Sequence, residues 1–224
     1  MDIKFNVKKI SEKSISKLHL VKNGDCGHFG RVYRFSDSEC LKVFNEPFSD
    51  YRIKLLNEQT NFSFETVQMP KYLVKMKNKI NGYVTDYVEG KRLCDSLDCD
   101  FSEFLKMYSK FIKKTAVEAT EAKYMIVDAS SKNVMIDEAN SCIKLVDTDL
   151  WDKRKDWDYD RLIEQNFSEL NGSIFNGFLF LLSYDIFDLT IHDDFIDYYE
   201  TIREEIEHKK NVKIKTLGDL VKWK

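Results

Sequence analysis

Up to about residue 90 the chain is dominated by short alternating stretches rich in β-branched and aromatic residues, the period of half-buried strands. Arg31–Phe35 and Glu39–Phe44 read as two strands joined by a Ser-Asp-Ser turn. Ser49–Asn61 switches to helical spacing through Tyr51, Ile53, Leu55 and Leu56, behind a Pro-Phe-Ser-Asp start signal. Tyr72–Lys77 and Gly82–Val88 return to the strand pattern, with Asn78–Asn81 as a turn. Beyond Gly90 the rhythm changes. Asp100-Phe-Ser-Glu103 has the form of a capping box and opens a helix to about Ala122, with Phe101, Phe104, Leu105, Tyr108, Phe111 and Ile112 on one face. Two short apolar pieces follow, Val134–Ile136 and Ile143–Val146, and from Asp158 onward the pattern is mostly helical. The pattern predicts an α+β chain with a small β-rich N-terminal lobe (residues 1–88), a hinge near 86–92 and a mainly α-helical C-terminal lobe (89–224).

Composition narrows the classes. The 224 residues suffice for one large domain or two small lobes, and 33% charged with 43% hydrophobic residues fits a folded globular protein. A net charge of −3 gives no electrostatic case for a nucleic-acid partner. The five cysteines (Cys26, Cys40, Cys94, Cys99, Cys142) form no Cys-x-x-Cys pair, which argues against zinc and thioredoxin-type chemistry. The most apolar run, Gly177–Leu182, is far shorter than the roughly 20 residues a membrane span needs, and MDIKFNVKKI lacks the apolar region of a signal peptide. The expectation is a cytoplasmic protein, of the producer or of a host cell, with no membrane partner.

Four stretches carry candidate chemistry. Gly24–Tyr33 (GDCGHFGRVY) places Gly27 and Gly30 where backbone amides approach a polyphosphate, with Phe29 over the loop tip and Val32 against a purine; the bland alternative is a glycine-containing hairpin. Lys42 stands inside the apolar strand CLKVF, where a half-buried ammonium requires anionic partners. Glu58, on the next helix, is the candidate partner, with Glu46 and Glu65 also close in sequence. Thr85–Leu93 (TDYVEGKRL) reads either as a connecting hinge or as a strand ending in a Glu-Gly turn. Asp128, Asn133 and Asp147 supply two carboxylates and an amide, the set that phosphoryl transfer uses to orient a hydroxyl and hold Mg²⁺.

Taken in order, these stretches resemble the protein-kinase-like superfamily. Gly24–Tyr33 is similar to the glycine-rich loop, and Asp128-x-x-x-x-Asn133 reproduces the spacing of the catalytic loop. The resemblance implies a two-lobed kinase-like fold and an ATP- and Mg²⁺-dependent phosphotransferase of the Ser/Thr kinase type. It implies Asp128 as the catalytic residue and Asn133 and Asp147 as metal holders. Gly27, Phe29, Gly30, Val32, Lys42, Glu58, Asp86 and Val88 would form the nucleotide site, with Thr85 guarding its rear. The departures are Asp25 for the first loop glycine, Ile126-Val127 for His-Arg, Ser130 for a phosphate-contacting lysine (Lys132 is nearby), and Asp147-Thr148-Asp149 for Asp-Phe-Gly. Asp149 reads as a second metal ligand or a turn residue. Leu150–Asp156 is too short for a regular activation segment, so the usual peptide platform is missing and the acceptor is an unknown protein or small molecule. Two other functions stay open: a pseudokinase acting as a nucleotide- or protein-binding module, and an aminoglycoside-type small-molecule phosphotransferase.

Overall fold

A computed structural model of the chain describes residues 6–21, 30–172, 191 and 193–221; the loop residues Gly27 and Phe29 and the apolar run Gly177–Leu182 lie outside these. The chain is α+β, and it divides into two compact units. The first comprises Met1–Val88 with Asp147–Leu150, and the second Glu89–Val146 with Trp151–Lys224.

In the first unit the alternating stretches become strands β1 (Val7–Lys9), β2 (His19–Leu20), β3 (Gly30–Arg34), β4 (Glu39–Phe44), β5 (Tyr72–Met76) and β6 (Lys79–Asp86). They form one sheet in the order β1-β5-β6-β4-β3-β2, antiparallel except where β1 runs parallel to β5. Side chains alternate between the faces, so the pairing register decides what each face buries. One face carries Leu41, Tyr72, Val74, Met76 and Val84, packed against Ile15 of a short helix, α1 (Glu12–Ile15), and against Ile10 and Leu18. The other carries Phe44, Leu73 and Tyr83, covered by Leu56 and Ile53 of α2 (Asp50–Gln59). Leu41, Leu56, Leu73, Val74 and Val84 are fully buried, each such side chain contributing about 1.5–3 kcal/mol of transfer free energy. Helix α2 starts where the start signal predicts: Ser49 accepts a hydrogen bond from the Arg52 amide.

Strand β4 is central, with β3 on one side and β6 on the other. Its neighbours approach so closely that a Cβ on Gly82 would lie 2.1 Å from the Lys42 carbonyl oxygen. The sheet therefore requires glycine there, in a strand interior where glycine otherwise costs stability.

The second unit is built on α3 (Phe101–Glu121). Asp100 caps it by accepting from the Glu103 amide, and the predicted face is buried from Phe101 to Ile112. The C-terminal stretch docks on the start of this helix, through Phe101 N–H to Lys215 O (2.9 Å) and Leu217 N–H to Cys99 O (3.0 Å). Strands β7 (Lys91–Arg92), β9 (Val134–Asp137) and β10 (Cys142–Leu145) form a small sheet in the order β10-β9-β7, and β8 (Tyr124–Met125) pairs with β11 (Asp152–Lys153). Among the described residues, helices α4 (Tyr159–Leu170), α5 (Phe195–Lys210) and α6 (Leu217–Val221) follow. Among the described residues no helix is long and apolar enough to cross a membrane.

Gly82→Ala is expected to lower stability by about 1–3 kcal/mol, because the new methyl group meets backbone that cannot step aside. Urea denaturation followed by tryptophan fluorescence measures this; an unchanged midpoint would show that β4 and β6 can separate freely.

Candidate functional site

Lys42 sits in the middle of β4, directly opposite Val32 on β3 and Tyr83 on β6. Directly opposed residues share a face, so these three side chains form one row across the sheet. Lys42 is only 5% exposed. A buried ammonium costs several kcal/mol unless it is paired and hydrogen-bonded. The pairing comes from far along the chain. Lys42 Nζ donates to Oδ1 and Oδ2 of Asp147 and to Oδ2 of Asp149, each at 2.6 Å. An ammonium has three protons, and each finds a carboxylate oxygen. Burial pulls the Lys42 pKa down, but Asp147 and Asp149 outweigh it, and the net shift is upward.

The two carboxylates differ. The Asp149 side chain is 2% exposed and the Asp147 side chain 28%. Burial, with the Asp147 charge adding to it, raises Asp149 to about 7 against the opposing pull of Lys42. Tyr83 places its hydroxyl 3.4 Å from Asp147 Oδ1, and burial first, then the two aspartates, pushes that phenol well above its ordinary value. Asp149 stands at a turn, as one of the two readings had it, but it is buried there as the inner counter-ion of Lys42.

The aspartates are aimed by the residue between them. Thr148 is fully buried and turns the opposite way, toward Gln59 near the C-terminal end of α2. Its hydroxyl donates to Gln59 Oε1 at 3.0 Å, and its carbonyl accepts from Gln59 Nε2 at 3.0 Å. Asp147 holds φ at +72°, a left-handed conformation that an L residue adopts only at a cost. The expected Glu58–Lys42 pair gives way to this arrangement. Glu58 is half-buried, whereas Gln59 is 1% exposed and is the inward residue of the last helical turn. The phase of α2 explains the difference: position 59 falls three and four residues after Leu56 and Leu55, on the buried stripe.

Asp128 and Asn133 belong to the second unit. Asp128 is exposed, with φ +62°. Asn133 Nδ2 donates to the Asp128 carbonyl at 2.9 Å and to Asp128 Oδ2 at 3.2 Å. Both acceptors are oxygens, which fixes the amide orientation and leaves Asn133 Oδ1 as the amide's acceptor atom. The Asn133 carbonyl accepts from the Val146 amide at 2.8 Å, tying the loop to the residue just before Asp147. A residue that sequence reasoning passed over anchors the other end. Asn166 on α4 is fully buried, accepts from the Ile126 amide (2.8 Å) and donates to Tyr124 O (2.9 Å) and Thr120 Oγ1 (3.0 Å). A polar residue on the apolar stripe Leu162, Ile163, Phe167 and Leu170 was the available signal.

The remaining predicted residues divide. Gly30 opens β3, and a Cβ there would lie 2.5 Å from the Val43 carbonyl, so strand packing alone demands glycine. Val32 is half-buried in the Lys42 row. The Asp86 side chain joins Lys71 in a surface ion pair at 2.8 Å. Val88 is half-buried and ends the first unit. Among the described residues no group of three or more His, Cys, Asp or Glu side chains is placed to hold a metal ion. Asp147 in the first unit is partly exposed, and Asn133 Oδ1 in the second is an amide acceptor. No family model matches the chain, and no curated protein matches it.

Replacing Lys42 by Met leaves Asp147 and Asp149 facing each other without a cation. The variant is expected to lose about 3–5 kcal/mol of stability, the cost of breaking a buried pair from one side. Thermal and chemical melts measure it, and a loss below about 1 kcal/mol, the scale of a surface pair, would refute the buried pairing.

Proposed function

We propose that this chain is a kinase-like phosphotransferase that uses ATP and Mg²⁺ to phosphorylate a hydroxyl group. The observation that carries the reading is Lys42, buried in a central strand and saturated by two aspartates more than 100 positions downstream. A purely structural strand gains nothing from a buried triad of this kind, since apolar residues of similar volume are as stabilising or more so. A phosphate-binding site gains a cation held ready in a dry place. The ordered Asp128–Asn133 pair supports the same reading.

In this reading Asp147 is the exchangeable partner of Lys42, being partly exposed, while Asp149 stays in place. Lys42 then turns freed N–H donors toward phosphate oxygens. Asn133 Oδ1 and Asp147 would hold Mg²⁺, which supplies neutralisation of the phosphate charge. Asp128 orients the acceptor hydroxyl and accepts its proton as the oxygen attacks phosphorus. The acceptor is the hydroxyl of a protein side chain or of a small molecule. A second reading, a pseudokinase that binds nucleotide or a protein partner without transfer, has in its favour that three carboxylate oxygens already take up the three donors of Lys42.

Thermal-shift titration with ATP is expected to show stabilisation that increases with Mg²⁺, growing with the ratio of ligand concentration to Kd. Asp147→Asn should abolish the Mg²⁺ increment. No response of the parent chain to millimolar ATP and Mg²⁺ would refute nucleotide binding, and an unchanged increment in Asp147→Asn would refute the metal role of that residue.

Asp128→Asn is expected to cut turnover by about 10²–10⁴-fold while leaving ATP affinity nearly unchanged, because general-base assistance acts in the transition state. Radiolabelled-ATP incorporation, measured as autophosphorylation and with generic acceptors, reads this out. Equal incorporation by parent and variant would refute the catalytic role, and ATP binding with no incorporation by either selects the pseudokinase.

A further inference from the structure

We infer that Gln59 and Thr148 form a positioning latch that sets how strongly Mg²⁺ couples to nucleotide, an inference that rests on the proposed reading of the Lys42 site. Three observations meet here. Gln59 and Thr148 exchange two hydrogen bonds of 3.0 Å through groups that are 1% and 0% exposed. Thr148 lies between the two carboxylates that saturate Lys42, and its own hydroxyl and carbonyl turn to Gln59 instead. Asp147 adopts φ +72°, so its backbone needs outside constraint to remain there.

The latch is selective in what it holds. An amide side chain offers one donor and one acceptor, and Thr148 offers the complementary acceptor and donor. The bonds therefore fix both the backbone carbonyl and the χ1 angle of Thr148. With these fixed, Asp147 and Asp149 can face only the Lys42 side of the loop. A neutral latch also adds no charge to a site that already carries two carboxylates and one ammonium. A glutamate at 59 would add a third carboxylate and could not donate to the Thr148 carbonyl when ionised. Gln59 and Thr148 are positioning residues: they act on the metal site through Asp147, not by contact with nucleotide.

Variants of nearly unchanged shape separate positioning from packing. Gln59→Leu removes both bonds, Thr148→Val removes the hydroxyl, and Thr148→Ser keeps it. The readout is ATP affinity by calorimetry with Mg²⁺ and with EDTA, together with hydrogen exchange at the amides of Thr148 and Asp149. Expected is a loss of about tenfold in the Mg²⁺-dependent increment for Gln59→Leu, a smaller loss for Thr148→Val and parent-like coupling in Thr148→Ser, with metal-free affinity retained throughout. A fall of both affinities together, or a Thr148→Ser variant as impaired as Thr148→Val, would reduce the pair to ordinary packing and overturn the latch. If the parent chain shows no Mg²⁺-dependent ATP binding, the functional reading fails and exchange alone decides the latch. Faster exchange at these two amides in Gln59→Leu, with β4 and β6 unchanged, upholds it, and unchanged exchange overturns it.

Discussion

Desolvation of one ammonium group governs the first unit. Lys42 stands on a central strand of the sheet and is almost wholly shielded from solvent. The unfavourable term is large, several kcal/mol for an unpaired ion, and it is offset only if three good acceptors converge on Nζ. That requirement dictates the conformation of the segment Asp147–Leu150. It forces two aspartates to one side of a short stretch, turns the threonine between them inward, and holds Asp147 in a left-handed conformation. The Gln59 amide is what the inward threonine then meets. A single buried charge thus accounts for a strand position, a helix residue and a loop geometry that look unrelated in sequence.

The triad is asymmetric in a useful way. Of the two carboxylates on Lys42, only Asp147 is accessible, and Asp149 is shielded. Asp149 also lies under the opposed influences of burial and Lys42. A cation arriving from solvent therefore meets Asp147 first. On the proposed reading the site can exchange one of its internal partners for an external one without exposing Lys42 to an apolar surrounding, since Asp149 remains. Preorganisation of this kind places charge before the reacting groups arrive, so that little reorganisation is left for the chemical step.

Much of this was legible in the residues, and the limits follow the physics. Long periodic elements were clear: β4 has the predicted bounds, and the apolar face predicted for α3 is the buried one. The short strands β1, β2, β7, β8 and β11 carry too few residues to show a period, and they form because a neighbour offers unpaired backbone. Lys42 stood out because an ionisable residue in an apolar strand conflicts with its surroundings. Its partner did not, because pairing across 105 positions leaves no trace in local spacing. Helix proximity favoured Glu58 as that partner, whereas the phase of the helix turns Gln59 inward, where it meets Thr148 rather than Lys42. Asn166 was likewise readable as an amide on an apolar stripe, but which loop it would anchor was a matter of tertiary structure.

The separation between Lys42 and its counter-ions also has a meaning in time. A chain is made from its N-terminus at about 5–20 residues per second, so Asp147 is synthesised roughly 5–20 s after Lys42. From Asp86 onward every strand of the sheet has been made, yet burying the ammonium before Asp147 arrives would leave it uncompensated. Burial of Lys42 is compensated only once Asp147 and Asp149 have been made. A fragment ending at Val88 would keep the strands and lose both counter-ions of Lys42, so the first unit is complete only with Asp147–Leu150.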